Sequence, residues 1–148
     1  MERLVHYLEG KDAEFEILKH SKTIKTAQEG ADYFGVEIGQ TAPTLIFKTD
    51  IGNYALIIAG DYGRVDLTSL KDLLHVQEVR LANPKEVEQI TGSSIGSVSL
   101  INPEIPTIID REIYRFPYIY GGTGKPQTTL KIQPKDVERL NNVIEYIR

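Results

Sequence analysis

Cysteine is absent from this sequence, and its absence excludes several kinds of chemistry. With no cysteine among 148 residues, the chain has no disulfide, no thiolate nucleophile and no zinc site built on sulfur. The three histidines, His6, His20 and His75, lie far apart and form no H-x-x-x-H or H-x-E pattern. The sequence therefore predicts no metal site and no cofactor.

Long apolar runs are missing as well. No run approaches the roughly 18 residues of a membrane span, and the N-terminus lacks the basic and apolar regions of a signal peptide. We therefore expect a cytoplasmic protein with no membrane partner. The length predicts one domain, residues 1–148, around one sizeable core.

Positive charge is in deficit. Lys and Arg number 17 against 21 Asp and Glu, a net charge of −4, which argues against a protein that wraps a nucleic-acid backbone. The segment LKHSKTIK, residues 18–25, is a local exception, with Lys19, Lys22 and Lys25 beside His20. Two interpretations stay open for this segment: a solvated face, or a contact with one or two phosphates.

Helical and strand patterns alternate along the chain and predict an α+β fold around a curved, mixed sheet. The predicted helices are 2–10, 26–35, 66–75, 83–92 and a last one from Pro134, whose apolar stripe includes Val143 and Ile144. The predicted strands are 14–18, 44–49, 54–59, 76–82 and a pair around the glycines of residues 118–132. The segments 44–49 and 54–59 form the clearest hairpin.

The stretch YIYGGTGKPQTTLKI, residues 118–132, has the composition of a phosphate-binding loop. A P-loop requires G-x-x-x-x-G-K-[ST] between a strand and a helix. Pro126 stands where the magnesium-binding hydroxyl belongs, and residues 127–132 alternate as a strand. This excludes a nucleotide triphosphate site, and leaves Gly121 and Gly122 as either a tight turn or a place of close backbone approach to a ligand.

Lys48 is the one charge in the strand TLIFKT, where it shares a face with Thr44 and Ile46. The partner strand is apolar on both faces, which predicts a central hairpin. One interpretation places Lys48 in a partly enclosed space, where its ammonium needs an anion, a carbonyl or a carboxylate. The other is an edge-strand lysine at the rim of the sheet.

Five segments follow one another in a distinctive order: TIKTAQEGADYFG, PTLIFKTDIGNYALIIAGD, EVEQITGSSIGSVSLINP, TIIDREI and YGGTGKPQTTLKIQPKDV. Together they resemble the YbaK family of aminoacyl-tRNA deacylases, relatives of the editing domain inserted in bacterial prolyl-tRNA synthetases. The resemblance covers nearly all of the chain after residue 14. It implies a mixed, barrel-like sheet flanked by helices, and an enzyme that hydrolyses an amino acid wrongly attached to tRNA.

The resemblance also implies site residues and partners. The strand lysine of the family matches Lys48, as the catalytic residue. The substrate-binding residues would come from two glycine loops: Gly96, Ser97, Ser99, Gly121 and Gly122. The expected partner is the acceptor end of a mischarged tRNA, with an aminoacyl-tRNA synthetase as a further candidate.

Several positions keep two interpretations. His20 is either a tRNA contact or an exposed residue at a strand end, and Asp110, in the family's "iD" position, is either a site residue or a structural turn carboxylate. Leu100 departs from the family, which commonly has Pro there, so the accepted amino acid stays open. The function likewise has an alternative, a non-catalytic tRNA- or nucleotide-binding module that kept the pocket without turnover. No G-x-S-x-G elbow is present, which disfavours a serine hydrolase.

Overall fold

The computed structural model describes residues 1–148, with five α-helices and eight β-strands. The helices are α1 (Glu2–Gly10), α2 (Ala27–Phe34), α3 (Leu67–Leu74), α4 (Pro84–Thr91) and α5 (Pro134–Leu140). The strands are β1 (Phe15–Lys19), β2 (Thr44–Thr49), β3 (Asn53–Ile57), β4 (Val79–Leu81), β5 (Thr107–Asp110), β6 (Ile119–Gly121), β7 (Thr128–Ile132) and β8 (Val143–Ile147). No helix has the length and apolar character needed to cross a membrane.

Local sequence signals set the helix ends. The Thr26 hydroxyl accepts a hydrogen bond from the Glu29 N–H at 3.0 Å and begins α2, and Gly35 ends it with a φ of 67°. At α4, Asn83 and Glu86 form a capping box, since each side chain accepts from the backbone N–H of the other at 2.9 Å. A cap of this kind contributes about 1 kcal/mol, and both were predicted from the sequence.

The strands form two sheets that do not close into a barrel. One is antiparallel, in the order β1-β7-β6. The other has the order β4-β2-β3-β5-β8; it is mixed, because β3, β5 and β8 run parallel while β2 is antiparallel to both of its neighbours. The predicted α+β class and mixed sheet are confirmed, and the β2–β3 hairpin lies inside its sheet as expected.

Apolar layers cover both faces of the five-stranded sheet. On one face, Phe47 and Leu56 pack with Leu70 and Leu74 of α3. The largest cluster lies on the opposite face, towards the three-stranded sheet, where Ile57, Ile109, Leu130 and Ile132 are fully or almost fully buried. Burial of each such side chain contributes about 1.5–3 kcal/mol, so this layer fixes one sheet against the other.

The last helix is shorter than its apolar spacing predicted. The prediction that Val143 and Ile144 belong to this helix is wrong. Val143 and Ile144 belong to β8, which lies beside β5, and not to α5. The Asn141 side chain donates hydrogen bonds to the Val137 carbonyl at 2.9 Å and to the Leu100 carbonyl at 2.8 Å. These bonds satisfy a carbonyl of the last turn, and the β-branched residues that follow favour an extended backbone.

Candidate functional site

A cavity of about 130 Å³ lies beside the isolated β-bridges that join the two sheets. The bridges pair Thr41 with Tyr120 and Ser99 with Gly122. Its lining residues fall into four groups: His20, Thr23–Ala27, Gly30 and Phe34 around the first part of α2; Thr41–Pro43 before β2; Gly96 and Ser97; and Tyr120–Gly122 with Lys125–Thr129 from β6, β7 and their connection. The site is therefore built by α2, the ends of three strands and the loops beside them.

The glycine pair is required by the close approach of the chain to itself. A Cβ on Gly121 would lie 2.5 Å from the Leu100 side chain, and a Cβ on Gly122 would collide with the Val98 carbonyl. Neither glycine has a positive φ, so the tight-turn interpretation is wrong for both. The turn lies further on, at Gly124 with φ 97° and Gln127 with φ 62°. Both glycines line the cavity, so this wall is bare backbone.

Leu100 lies behind that wall and not in it. Its side chain is fully buried in the large core cluster and is what a Cβ on Gly121 would meet. The departure from the family's usual proline therefore changes the packing beneath the cavity, while the surface of the cavity at this point is Gly121.

The second glycine loop contributes Gly96 and Ser97 to the cavity. Gly96 has a φ of 89°, and its N–H has no hydrogen-bond partner within the protein. Ser99, predicted with them, does not line the cavity. Its hydroxyl accepts from the Ile101 N–H at 3.0 Å, and its carbonyl accepts from the Thr44 hydroxyl at 3.3 Å, so Ser99 supports the wall from behind.

His20 is buried, and its interpretation as an exposed residue is wrong. It is 8% exposed and lines the cavity. Its Nδ1–H donates to the Lys22 carbonyl at 2.6 Å, which leaves Nε2 to accept from the Thr129 hydroxyl at 3.0 Å. Both ring nitrogens are occupied by the protein, so His20 holds the loop of Lys22 in place and has no free nitrogen for a substrate proton.

Lys48 does not line the cavity, and because β2 lies between β4 and β3 it is not an edge-strand lysine either. Its Nζ lies 3.3 Å from Glu86 Oε2 on α4, and its side chain is 37% exposed. The cavity is at the other end of β2, at Pro43. Five residues of extended strand span roughly 16 Å, farther than a lysine side chain reaches. The catalytic role of Lys48 stays a prediction, which this geometry does not favour.

Asp110 is a structural carboxylate. It is fully buried and accepts hydrogen bonds from the Ala59 N–H at 2.9 Å, the Glu112 N–H at 3.1 Å and the Arg148 guanidinium at 2.7 Å. These contacts satisfy both oxygens and connect β5 with the ends of β3 and β8. The structural interpretation of Asp110 is confirmed.

Two lysines and an aromatic pair in the cavity were not among the predicted site residues. Lys25 and Lys125 line it, and no Asp or Glu does. Phe34 and Tyr120 also line it, with ring centroids 5.3 Å apart and planes inclined by 23°. Lys125 lies in the GGTGKP loop, so the composition of that loop was the available signal; the stacking of Phe34 on Tyr120 joins residues too distant in sequence to predict.

The arrangement offers donors but no nucleophile paired with a base. The Ala27 N–H at the start of α2 has no partner within the protein and lies in the cavity wall, as Gly96 does. The Ser97 hydroxyl contacts only the Ser94 hydroxyl, at 3.3 Å, so no base activates it. No group of three or more His, Cys, Asp or Glu side chains is placed to hold a metal ion. Unpaired N–H groups and lysines suit an anion, or a carbonyl oxygen that becomes one.

Comparison with solved structures finds the same fold. A hypothetical protein of known crystal structure superposes with a TM-score of 0.88 at 27% identity, over 97% of each chain. A proposed trans-editing enzyme for prolyl-tRNA synthetase superposes with a TM-score of 0.84 at 27% identity, over 97% of this chain and 92% of that one.

Comparison of sequences finds similarity to proline–tRNA ligases and to one domain family. Proline–tRNA ligase of Caldicellulosiruptor saccharolyticus is 27% identical over 112 residues, which are 76% of this chain and 19% of the ligase. The ligase of Staphylococcus aureus strain Newman is 30% identical over 61% of this chain and 14% of the ligase. The chain thus matches less than a fifth of these relatives. The sequence profile of the aminoacyl-tRNA editing domain matches residues 21–140, and the chain therefore belongs to the aminoacyl-tRNA editing domain family.

Proposed function

We propose that this protein is a trans-editing hydrolase that deacylates mischarged tRNA, cleaving the ester of a small amino acid at the tRNA 3′ end. The proposal rests on the lining of the cavity in a member of the editing-domain family. Unpaired backbone N–H groups and two lysines line this cavity, and no carboxylate does. The cavity volume of about 130 Å³ favours a small acyl group. Such a role belongs in the cytoplasm, where tRNA is charged.

The related proline–tRNA ligases and the structural neighbour suggest which tRNA is used. Because the similarity falls within a small part of the ligases, and the neighbour is described as acting for prolyl-tRNA synthetase, we propose tRNA specific for proline, carrying a wrong amino acid, as the first substrate to test. A synthetase is then a candidate partner, since it produces the mischarged tRNA.

The proposed mechanism uses the substrate as well as the protein. Water attacks the ester carbonyl, a new C–O bond forms, and the bond to the ribose oxygen breaks as that oxygen receives the proton from water. The developing oxyanion is stabilised by backbone donors such as the Gly96 N–H, and each well-placed donor is worth about 10²–10³ in rate. Since no side chain of the cavity is a free base, the vicinal ribose hydroxyl orients the water.

The test is ester loss from a panel of tRNA charged with proline, alanine, serine, glycine or cysteine, measured with the enzyme in excess. We expect at least one mischarged tRNA to lose its amino acid faster than in buffer, and prolyl-tRNA to be kept. The same tRNA ending in a 2′-deoxyadenosine should bind and keep its amino acid. Rates equal to buffer across the panel, with tRNA still bound, would establish the non-catalytic binding module instead.

A further inference from the structure

Four exposed lysines lie in the segments that line the cavity or directly beside them, and we call them the basic rim: Lys19, Lys22, Lys25 and Lys125. Lys25 and Lys125 line the cavity itself. Lys19 lies with Gln127 and Thr128 in a shallow groove that shares His20 with the cavity. None of the four takes part in an ion pair. In a chain of net charge −4, four unpaired cations at one opening call for an explanation.

The segment between β1 and α2, which carries Lys22 and Lys25, is tied to the cavity wall. It has no helix or strand, and Lys19 is the last residue of β1 before it. The Gln127 side chain donates to the Ser21 carbonyl at 2.9 Å, and His20 donates to the Lys22 carbonyl at 2.6 Å. Gln127 keeps a left-handed backbone with φ 62° at this place, a conformation that costs a non-glycine residue about 1 kcal/mol or more. The backbone at Ser21 and Lys22 is therefore tied to the lining residues His20 and Gln127.

Acidic groups are few around the basic rim, and two of them accept hydrogen bonds from the protein. Glu29 Oε2 accepts from the Lys25 N–H at 3.4 Å, and Asp32 accepts from the Gln28 side chain at 2.8 Å. No carboxylate lines the cavity. Like charges held close together do not stabilise the fold, so the arrangement fits an anionic ligand that reaches across the opening.

We propose that the basic rim binds the backbone phosphates of the single-stranded 3′ end of the RNA, a proposal that rests on the proposed function. If the terminal ester occupies the cavity, the phosphates of the last nucleotides lie at its edge, near the lining residues Lys25 and Lys125 and the loop of Lys22. The exposed Tyr33, 49% exposed, and the Phe34–Tyr120 pair add aromatic surface beside the lysines. Cations interleaved with aromatic rings are the usual surface for single-stranded nucleic acid.

The experiment measures binding of an uncharged RNA hairpin with a single-stranded 3′ overhang at several KCl concentrations. Each phosphate neutralised on a single strand contributes about −0.7 to the slope of log K against log salt. The triple variant Lys22→Ala, Lys25→Ala, Lys125→Ala should therefore have a slope smaller by about 2. The control triple Lys71→Ala, Lys85→Ala, Lys135→Ala removes the same charge from lysines outside the rim and the cavity, and should keep the wild-type slope.

Three results would overturn the proposal: an unchanged slope in the rim variant, an equal loss in the control, or equal binding of a hairpin with a blunt end. Because the RNA is uncharged, the measurement does not depend on hydrolysis. A reduced slope in the rim variant alone supports the surface even if no tRNA is deacylated. If the protein deacylates tRNA but the salt slope of the rim variant is unchanged, the proposed RNA-binding surface is wrong and the proposed enzymatic function stands.

Discussion

At the scale of single residues, the close approach of the chain to itself explains why both residues of the glycine pair are glycine. A methyl group at Gly122 would collide with the Val98 carbonyl and lie 3.0 Å from the Ser97 carbonyl. We expect Gly122→Ala to lower the free energy of unfolding by about 1–3 kcal/mol, as overpacking does, and activity to fall in proportion to the folded fraction. Gly10→Ala, at a site with nothing within 4 Å, is the control and should lose no stability in thermal melts.

Lys48 gives the second prediction at this scale. Its ammonium pairs with Glu86, which Arg80 already binds through two hydrogen bonds of 2.7 and 2.8 Å. We expect Lys48→Ala to melt close to the wild type and to keep its rate of deacylation, because the residue lies away from the cavity. Loss of the rate in a variant with an unchanged melting temperature would instead establish the catalytic role that the family resemblance implies.

At the scale of elements, α4 is the helix whose anchoring depends on pH. Hydrogen bonds from Arg80 first, then from the Asn83 N–H and Lys48, hold the pKa of Glu86 well below its ordinary range. The unfolded chain therefore takes up the proton first as the pH falls. The stabilisation from Glu86 is complete above the ordinary pKa of a glutamate and is lost as the pH drops below it.

The corresponding test compares melting temperatures of the wild type and Glu86→Gln between neutral and acidic pH. The variant should be less stable at neutral pH, and the difference should shrink as the pH falls below the ordinary range of a glutamate. Glu88→Gln, an exposed residue of the same helix outside every ion pair, should show no such trend. A difference that stays constant in Glu86→Gln would show that its charge does not anchor α4.

The elements also show what the sequence could and could not predict. Caps, glycine stops and the β2–β3 hairpin depend on neighbours in sequence and were predicted. The end of α5 depends on Asn141 reaching the Leu100 carbonyl across the fold, and helical spacing of Val143 and Ile144 concealed β8. The cavity followed the same rule: the two glycine loops beside it stand out in the sequence, whereas Lys25, Phe34 and Tyr120 meet only after folding, and Lys48 lies at the other end of β2.

At the scale of the whole molecule, both sheets contribute residues to the wall of the cavity. The five-stranded sheet supplies Thr41–Pro43 at the start of β2, and the three-stranded sheet supplies the glycine wall and the His20 segment. The apolar layer between the sheets fixes the position of the glycine wall relative to Thr41–Pro43. A rigid wall of this kind suits the preorganised donors that an acyl-transfer site needs.

The central claim is that ester hydrolysis takes place in this cavity, and filling the cavity tests it most directly. Gly30 lies on α2 in the cavity wall, and its Cβ would meet Ile24 and Thr41, which also line the cavity, at ordinary contact distances of 3.5 and 3.7 Å; we therefore expect a larger side chain there to fill part of the opening. The measurement is the rate of ester loss, on the mischarged tRNA that the wild type hydrolyses fastest, by Gly30→Leu and by the control Gly10→Leu. We predict that Gly30→Leu falls to the buffer rate while remaining folded and that Gly10→Leu matches the wild type; a folded Gly30→Leu with the wild-type rate would contradict the account.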